Sequence, residues 1–181
     1  FDQTVNVIAL QANGKILVGG FFTTYKGLAQ NKLIRLNSDG SKDATFNIGT
    51  GFSGPVYALA IQSDGKILVG GSFVTYQGSS WPYLVRLNVD GSIDSGFNIG
   101  TGFNQMVTSI AIKSNGKILV GGWFSDYIGV NQNNIVLLNW QTSAEYNNHY
   151  FDVERSSDGI NFTTIGRIDG NGTTSLPHSY S

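Results

Sequence analysis

The chain has 181 residues and a net charge of −1, with 40% apolar, 13% charged and 12% aromatic residues, 24 glycines and no cysteine. That apolar share excludes a disordered chain, and lysines and arginines scattered singly exclude the basic stripe of a nucleic-acid binder. The lack of cysteine excludes disulfides, thiolate zinc sites and cysteine nucleophiles, and no apolar run approaches the ~18 residues of a membrane-spanning helix. Few charges with abundant glycine and aromatics favour many short strands joined by tight turns, an all-β fold.

The heptapeptide Gly14-Lys15-Ile16-Leu17-Val18-Gly19-Gly20 returns unchanged at Gly65 to Gly71 and at Gly116 to Gly122, each time after 51 residues. A fixed period of this size marks units that cannot bury their apolar faces alone and must stack on one another. Each unit opens with a short strand: Val5 to Gln11, Val56 to Gln62, Val107 to Lys113. Alternation puts Ile8 and Leu10 on one face and the smaller Val5, Val7 and Ala9 on the other, so the strand is apolar on both sides. It is expected inside a stack of sheets, its small-residue face against a close neighbour. Asn13-Gly14, Asp64-Gly65 and Asn115-Gly116 come next and predict two-residue type I′ hairpin turns. Ile16-Leu17-Val18 returns. The pairs Gly19-Gly20, Gly70-Gly71 and Gly121-Gly122 then end the strand where a side chain would collide with the next sheet or block a bulge.

A polar connection carrying Tyr25-Lys26-Gly27, or Tyr76-Gln77-Gly78, leads into a third strand, Leu33 to Asn37 or Leu84 to Asn88. Asp39-Gly40 and Asp90-Gly91 turn the chain again, and the identical segments Phe46 to Phe52 and Phe97 to Phe103 are expected to supply a fourth strand. Four short strands in a unit of ~50 residues is the pattern of a propeller blade. Phe1 holds the place of Phe52 and Phe103, so the chain is expected to begin inside a repeat and to be accompanied by further repeats of the same parent chain.

Three patterns carry a resemblance: GKILVGGxF (Gly14 to Phe22, Gly65 to Phe73, Gly116 to Phe124), LNxDGSxD (Leu36 to Asp43, Leu87 to Asp94) and FNIGTGF. In these the units resemble the delta-60 repeat family, and the resemblance covers about residues 1–129. It implies a β-propeller architecture and a secreted or surface-exposed bacterial protein, with no activity to carry over. Repeats are expected over about 1–51, 52–102 and a truncated 103–129, as an open arc of blades that does not close by itself. The third unit breaks the pattern: Asn139 is followed by Trp140-Gln141-Thr142 in place of an aspartate-glycine turn, and Leu137 stands where the earlier units have arginine.

Residues 130–181 are expected to form a second domain. Ile135 to Trp140, Tyr150 to Arg155 and Asn161 to Gly166 alternate as strands, with Asp158-Gly159 turning between the last two. The stretch Leu137 to Gly166 resembles the fibronectin type III-like domain that precedes the sorting signal of type IX-secreted bacterial proteins. A sandwich of that kind needs about seven strands, so the implied domain is partial.

Candidate chemistry is sparse. Asp39 with Asp43, and Asp90 with Asp94, suggest a glycosidase pair or a calcium loop, but hydrolysis needs carboxyls in unlike environments and calcium needs six to eight oxygens. A pair that recurs in each unit is more simply a turn with its side-chain cap. His149 and His178 lack metal-ligand spacing. No catalytic residue, metal ligand or cofactor is therefore expected. Ligand contact, if any, falls to positions where the units differ: Trp81 and Tyr83 in the polar connection and Trp123 in place of Phe21 and Ser72, each of which also suits packing over an adjacent blade. The recurring glycines Gly14, Gly19, Gly20, Gly65, Gly70, Gly71, Gly116, Gly121 and Gly122 are structural. Together these features predict a non-catalytic scaffold or adhesion module of an exported surface protein, with a protein or glycan as partner; the alternative is a glycan-binding module or accessory part of a glycoside hydrolase.

Overall fold

Each GKILVGG hairpin closes through a three-residue loop. The amide of Gly14 donates to the Gln11 carbonyl, that of Gln11 to the Lys15 carbonyl, and only the glycine has positive φ, +79° at Gly14, +83° at Gly65 and +79° at Gly116. A turn followed by one left-handed residue is the bulged three-residue hairpin, which corrects the type I′ expectation. Asn13 and Asp64 stay right-handed because their carboxamide or carboxylate oxygens accept the amide two residues on, from Lys15 and Lys66. Type I′ backbone occurs instead at Lys26-Gly27 (φ 50° and 78°) and Gln77-Gly78 (φ 50° and 78°).

The computed structural model describes residues 1–125 and 127, and beyond them the strands at 135–137, 140–142, 145–155, 163–174 and 178–180. Among the described residues there is no helix. The first repeat holds β1 (Val5–Leu10), β2 (Ile16–Gly20), the short ladder β3 (Thr24–Tyr25) and β4 (Leu28–Ala29), and β5 (Leu33–Leu36). The second repeats this as β6 (Val56–Ile61), β7 (Ile67–Gly71), β8 (Thr75–Tyr76), β9 (Ser79–Ser80) and β10 (Leu84–Leu87). The third has β11 (Val107–Ile112), β12 (Ile118–Gly122) and β13 (Ile135–Leu137). The sheets order as β1-β2-β5, β6-β7-β10 and β11-β12-β13; the first two are antiparallel throughout, whereas β13 runs parallel to β12.

No fourth strand forms over Phe46 to Phe52 or Phe97 to Phe103. Of those segments only the bridges Phe52 to Tyr76 and Phe103 to Tyr127 pair with another strand residue. Left-handed glycines break the extended run, Gly49 and Gly51 at φ 53° and 76°, and the Asn47 side chain accepts the Gly49 amide. The segment crosses the stack as a loop and still buries Phe46, Ile48 and Phe52.

Register assigns the residues of each sheet to two unlike faces. Leu59, Val69 and Val85 align across the second sheet, as do Ile61, Ile67 and Leu87; on the opposite face lie Ala58, Gly70 and Leu84, then Ala60, Leu68 and Arg86. The first set, a leading face of larger residues, packs in one cluster with Val7, Ala9, Leu17 and Leu33 of the first unit. The second, a trailing face of smaller ones, packs with Ile110, Ile112 and Val107 of the third. Large against small lets neighbouring sheets approach closely. An alanine at Gly19 would put Cβ 2.6 Å from Val56 Cγ1, and one at Gly70 2.6 Å from Val107 Cγ1. Beside the bulge that starts each first strand, a Cβ at Gly20, Gly71 or Gly122 would lie 2.2, 2.1 or 2.2 Å from a backbone oxygen. These glycines answer to close approach, not to φ. Among the described residues, β6 has packed neighbours on both sides. In β1, Ile8 and Leu10 are 61% and 73% exposed.

Two compact units divide the chain, Phe1–Leu138 and Asn139–Ser181. In the second, β14 (Trp140–Thr142) pairs antiparallel with β17 (His178–Tyr180), and β15 (Glu145–Arg155) with β16 (Thr163–Thr174). The strand expected from Ile135 to Trp140 is thus two strands, one in each unit. The turn expected at Asp158-Gly159 and the histidine side chains lie outside the described residues.

Candidate functional site

Charge inside the repeats is concentrated in one recurring cluster. Arg35 stands in the centre of β5, opposite Leu17, on the trailing face. Lys15 enters β2 from the hairpin loop, and Asp43 follows the Asp39-Gly40 turn. Asp43 Oδ2 accepts from Lys15 Nζ at 2.6 Å and from Arg35 Nε at 2.6 Å, while its Oδ1 accepts the Thr45 amide and hydroxyl at 3.0 and 2.8 Å. The Arg35 guanidinium lies 4.5 Å over the Phe46 ring centroid and donates through Nη1 to the Val89 carbonyl of the next unit. In the second unit Asp94 Oδ2 accepts from Lys66 at 2.9 Å and Arg86 at 2.7 Å, and Arg86 lies 4.5 Å over Phe97. Its Nη1 turns back to Gln62 Oε1 at 3.4 Å, whereas the matching Gln11 Oε1 is buried without a partner.

Burial alone would raise the Asp43 carboxyl, but hydrogen bonds from Lys15, Thr45 and Arg35 outweigh it and hold its pKa well below the usual carboxylate range. Asp94 is lowered by the same balance of burial against Lys66, the Gly96 amide and Arg86. Asp39 and Asp90 cap their turns: each accepts the hydroxyl and amide of the serine two residues on, at 2.6 and 2.8 Å in the first unit, and these bonds lower both carboxyls. All four carboxylates are ionised hydrogen-bond acceptors at neutral pH, a state suited to holding loops and not to passing protons there. Among the described residues, no three histidine, cysteine, aspartate or glutamate side chains gather where they could hold a metal ion.

The aromatic candidates separate. Trp81 is half-buried and packs against the clusters on both sides of the second sheet, and Tyr83, held at φ 65°, packs on the cluster of Phe97 and Phe103. Trp123 belongs to neither cluster and is 75% exposed. Its counterpart Phe21 meets Tyr57 of the next unit edge-on, at 5.9 Å and 71°. A further aromatic trio recurs in every unit: Phe1, Phe52 and Phe103 sit 4.5, 4.5 and 4.6 Å from Phe22, Phe73 and Phe124, and against Tyr25, Tyr76 and Tyr127. Tyr76 is fully buried, donates to the Gly91 carbonyl at 2.6 Å, and has its phenol pushed up by burial.

The sequence signals the Lys15–Arg35–Asp43 cluster only indirectly. A lysine recurs inside every heptapeptide, an arginine interrupts two apolar strands, and an arginine on a packed face requires a counter-charge. The second aspartate of DGSxD supplies it.

No curated protein matches the chain. A family model described as domain of unknown function (DUF5122) beta-propeller matches residues 11–46, 62–97 and 113–139, more than half of the chain. The first two matches run from the hairpin loop, through the lysine, the arginine and the aspartate, to the phenylalanine ring under the guanidinium. With three matched repeats in an all-β structure whose sheets recur in register with them, the chain belongs to this beta-propeller family.

Proposed function

We propose that the chain is a non-catalytic repeat scaffold, an interaction or adhesion module of an exported bacterial surface protein. One observation carries the reading: the ionised side chains that recur in the first two units are spent on bonds within and between them. Asp43 and Asp94 each bind a lysine and an arginine, Asp39 and Asp90 each cap a turn, and Arg35 reaches the next unit's backbone. Catalysis needs a group poised to change protonation or to attack, and groups repeated with the same partners serve the repeat. Export rests on the delta-60 resemblance. The assignment of residues 130–181 to the start of a fibronectin type III-like sandwich, with a type IX route, rests on the Leu137 to Gly166 resemblance. Antibody labelling of intact against lysed cells of the source bacterium tests export; labelling only after lysis contradicts it.

A second reading, glycan binding, is favoured by Trp123 alone, whose exposed indole offers a stacking surface. Titrating a polysaccharide panel into the protein separates the two. The scaffold reading expects no saturable binding. Saturable binding abolished by Trp123→Ala replaces it with the glycan reading.

A further inference from the structure

The hairpin loop recurs with one backbone but two side chains. Asn13-Gly14 and Asn115-Gly116 stand in the first and third units, and Asp64-Gly65 in the second. In each, the side-chain Oδ1 accepts the amide two residues on, from Lys15, Lys66 or Lys117, at 3.1, 3.0 and 3.2 Å, and the glycine has φ +79°, +83° or +79°. Asn13, Asp64 and Asn115 are all exposed. Asp64 is so in a unit whose sheet has packed neighbours on both sides, and exposure of this loop therefore belongs to the repeat and not to its place in the array. A further pair, Asn171-Gly172, lies in β16 and not in a repeat loop. We propose that Asn13 and Asn115 are modification sites, where asparagine in the folded protein is converted by water to aspartate or isoaspartate.

The reaction is an intramolecular acyl transfer. The Gly14 backbone nitrogen, on losing its proton to hydroxide, attacks Asn13 Cγ; the Cγ–Nδ2 bond breaks, and the nitrogen leaves as ammonia with a proton from water. A water molecule then opens the five-membered imide. Opening at Cγ restores the peptide bond and gives aspartate, and opening at the main-chain carbonyl gives isoaspartate. Glycine brings no Cβ to crowd the closing ring, and nothing lies within 4 Å of where one would stand at Gly14. The Lys15 amide already donates to Oδ1, the oxygen on which negative charge gathers as Cγ becomes tetrahedral, and that bond strengthens with the charge. Against this, the Gly14 amide gives up its bond to the Gln11 carbonyl, 2.9 Å long. The bond lost is neutral and the bond strengthened is charge-assisted, so folding does not shut the reaction off. The second unit shows how the product fits: Asp64 accepts the same amide in the same loop, so aspartate at 13 or 115 leaves the hairpin intact. Isoaspartate does not fit. It adds a methylene to the main chain of a three-residue loop that fixes the register of the two strands.

Ageing the 181-residue protein in mildly alkaline buffer, with and without urea, tests this when peptide mapping by mass spectrometry separates asparagine, aspartate and isoaspartate. In the native protein Asn13 and Asn115 should convert at least about tenfold faster than Asn6, Asn31, Asn47 and Asn104, none of which precedes glycine, a gap that a modest difference in barrier supplies. The native rate at both sites should lie within about tenfold of the rate in urea. Conversion confined to the unfolded chain overturns the proposal, since it would mean that the bond from Gly14 to Gln11 protects the loop. So does native conversion no faster than at the four other asparagines. The double variant Asn13→Asp, Asn115→Asp should melt like the parent, whereas aged protein rich in isoaspartate should melt lower. A lower melting temperature for the double variant overturns the claim that the loop accepts the product.

Discussion

Replacing Asp43 with asparagine keeps the shape of the side chain and removes the charge that faces Arg35 and Lys15. The side chains of Asp43 and Arg35 are 4% and 3% exposed, so the guanidinium left behind faces a neutral amide with almost no water. Removing one partner of a buried pair costs about 3–5 kcal/mol. In the second unit Asp94 and Arg86 are 10% and 18% exposed, and water can reach the unpaired arginine, so Asp94→Asn is expected to cost roughly 1–3 kcal/mol, between the buried and surface limits. Lys15, at 27% exposure, contributes about 1 kcal/mol or less, as an outer pair does. The expected order is therefore Asp43→Asn, then Asp94→Asn, then Lys15→Met. Urea unfolding at neutral pH followed by circular dichroism measures it, with an unchanged slope showing that the denatured state is comparable. Equal costs for the two aspartates, or less than about 1 kcal/mol for Asp43→Asn, would refute the burial argument.

The same carboxyl sets a pH dependence. Its folded pKa lies below the ordinary value near ~3.9, so the unfolded chain takes up the proton first; stability is fully present above about pH 5 and falls as pH drops through the acid range, with a flatter decline in Asp43→Asn. An identical acid limb in parent and variant would show that the cluster does not contribute. Gly71→Val should cost well over ~1 kcal/mol because its Cβ would lie 2.1 Å from the Pro55 carbonyl, whereas Gly14→Ala, with open space around it, should cost about 1 kcal/mol through φ +79° alone. Comparable melting points for these two would contradict the close-approach argument. Calcium at submillimolar concentration should leave the melting temperature unchanged, since the DGSxD carboxylates already accept serine, lysine and arginine hydrogens; a rise of several degrees would mean that the loops are ion sites.

The period, the hairpins and the steric role of Gly19-Gly20 were legible because each follows from local sequence repeated three times, and the third strand because its pattern occurs twice. Loop geometry was less so. Asn13-Gly14 suits a two-residue turn, and only the acceptor role of the Asn13 oxygen toward Lys15 selects the three-residue form. The missing fourth strand has a similar cause: Phe46, Ile48 and Phe52 are apolar enough for a strand, but the backbone at Gly49 and Gly51 turns left-handed. Non-local facts were the hardest. Arg35 is bound by the Asp43 and Thr45 side chains of the loop after β5 and by the following unit's backbone, and the exposure of Ile8 and Leu10 depends on which neighbours a repeat has. Composition shows neither. Trp81, with two possible roles in sequence, lies between the packed clusters, while Trp123 stands out from them because Phe21's partner on the next unit has no described counterpart beside it.

Stacking of a small-residue face on a large-residue face is tested most directly by a double-mutant cycle across the first junction. Gly19→Ala places a Cβ 2.6 Å from Val56 Cγ1, in a different unit, and Val56→Ala removes that methyl. Measured by urea unfolding, each single change should destabilise, and the double mutant should be more stable than the sum of the two costs implies, by about 1 kcal/mol, because the nearest clashing methyl is gone while Val7 Cγ1, 2.9 Å from the same Cβ, remains. Strict additivity would mean that Gly19 and Val56 do not meet, and that the repeats are not held together through these faces.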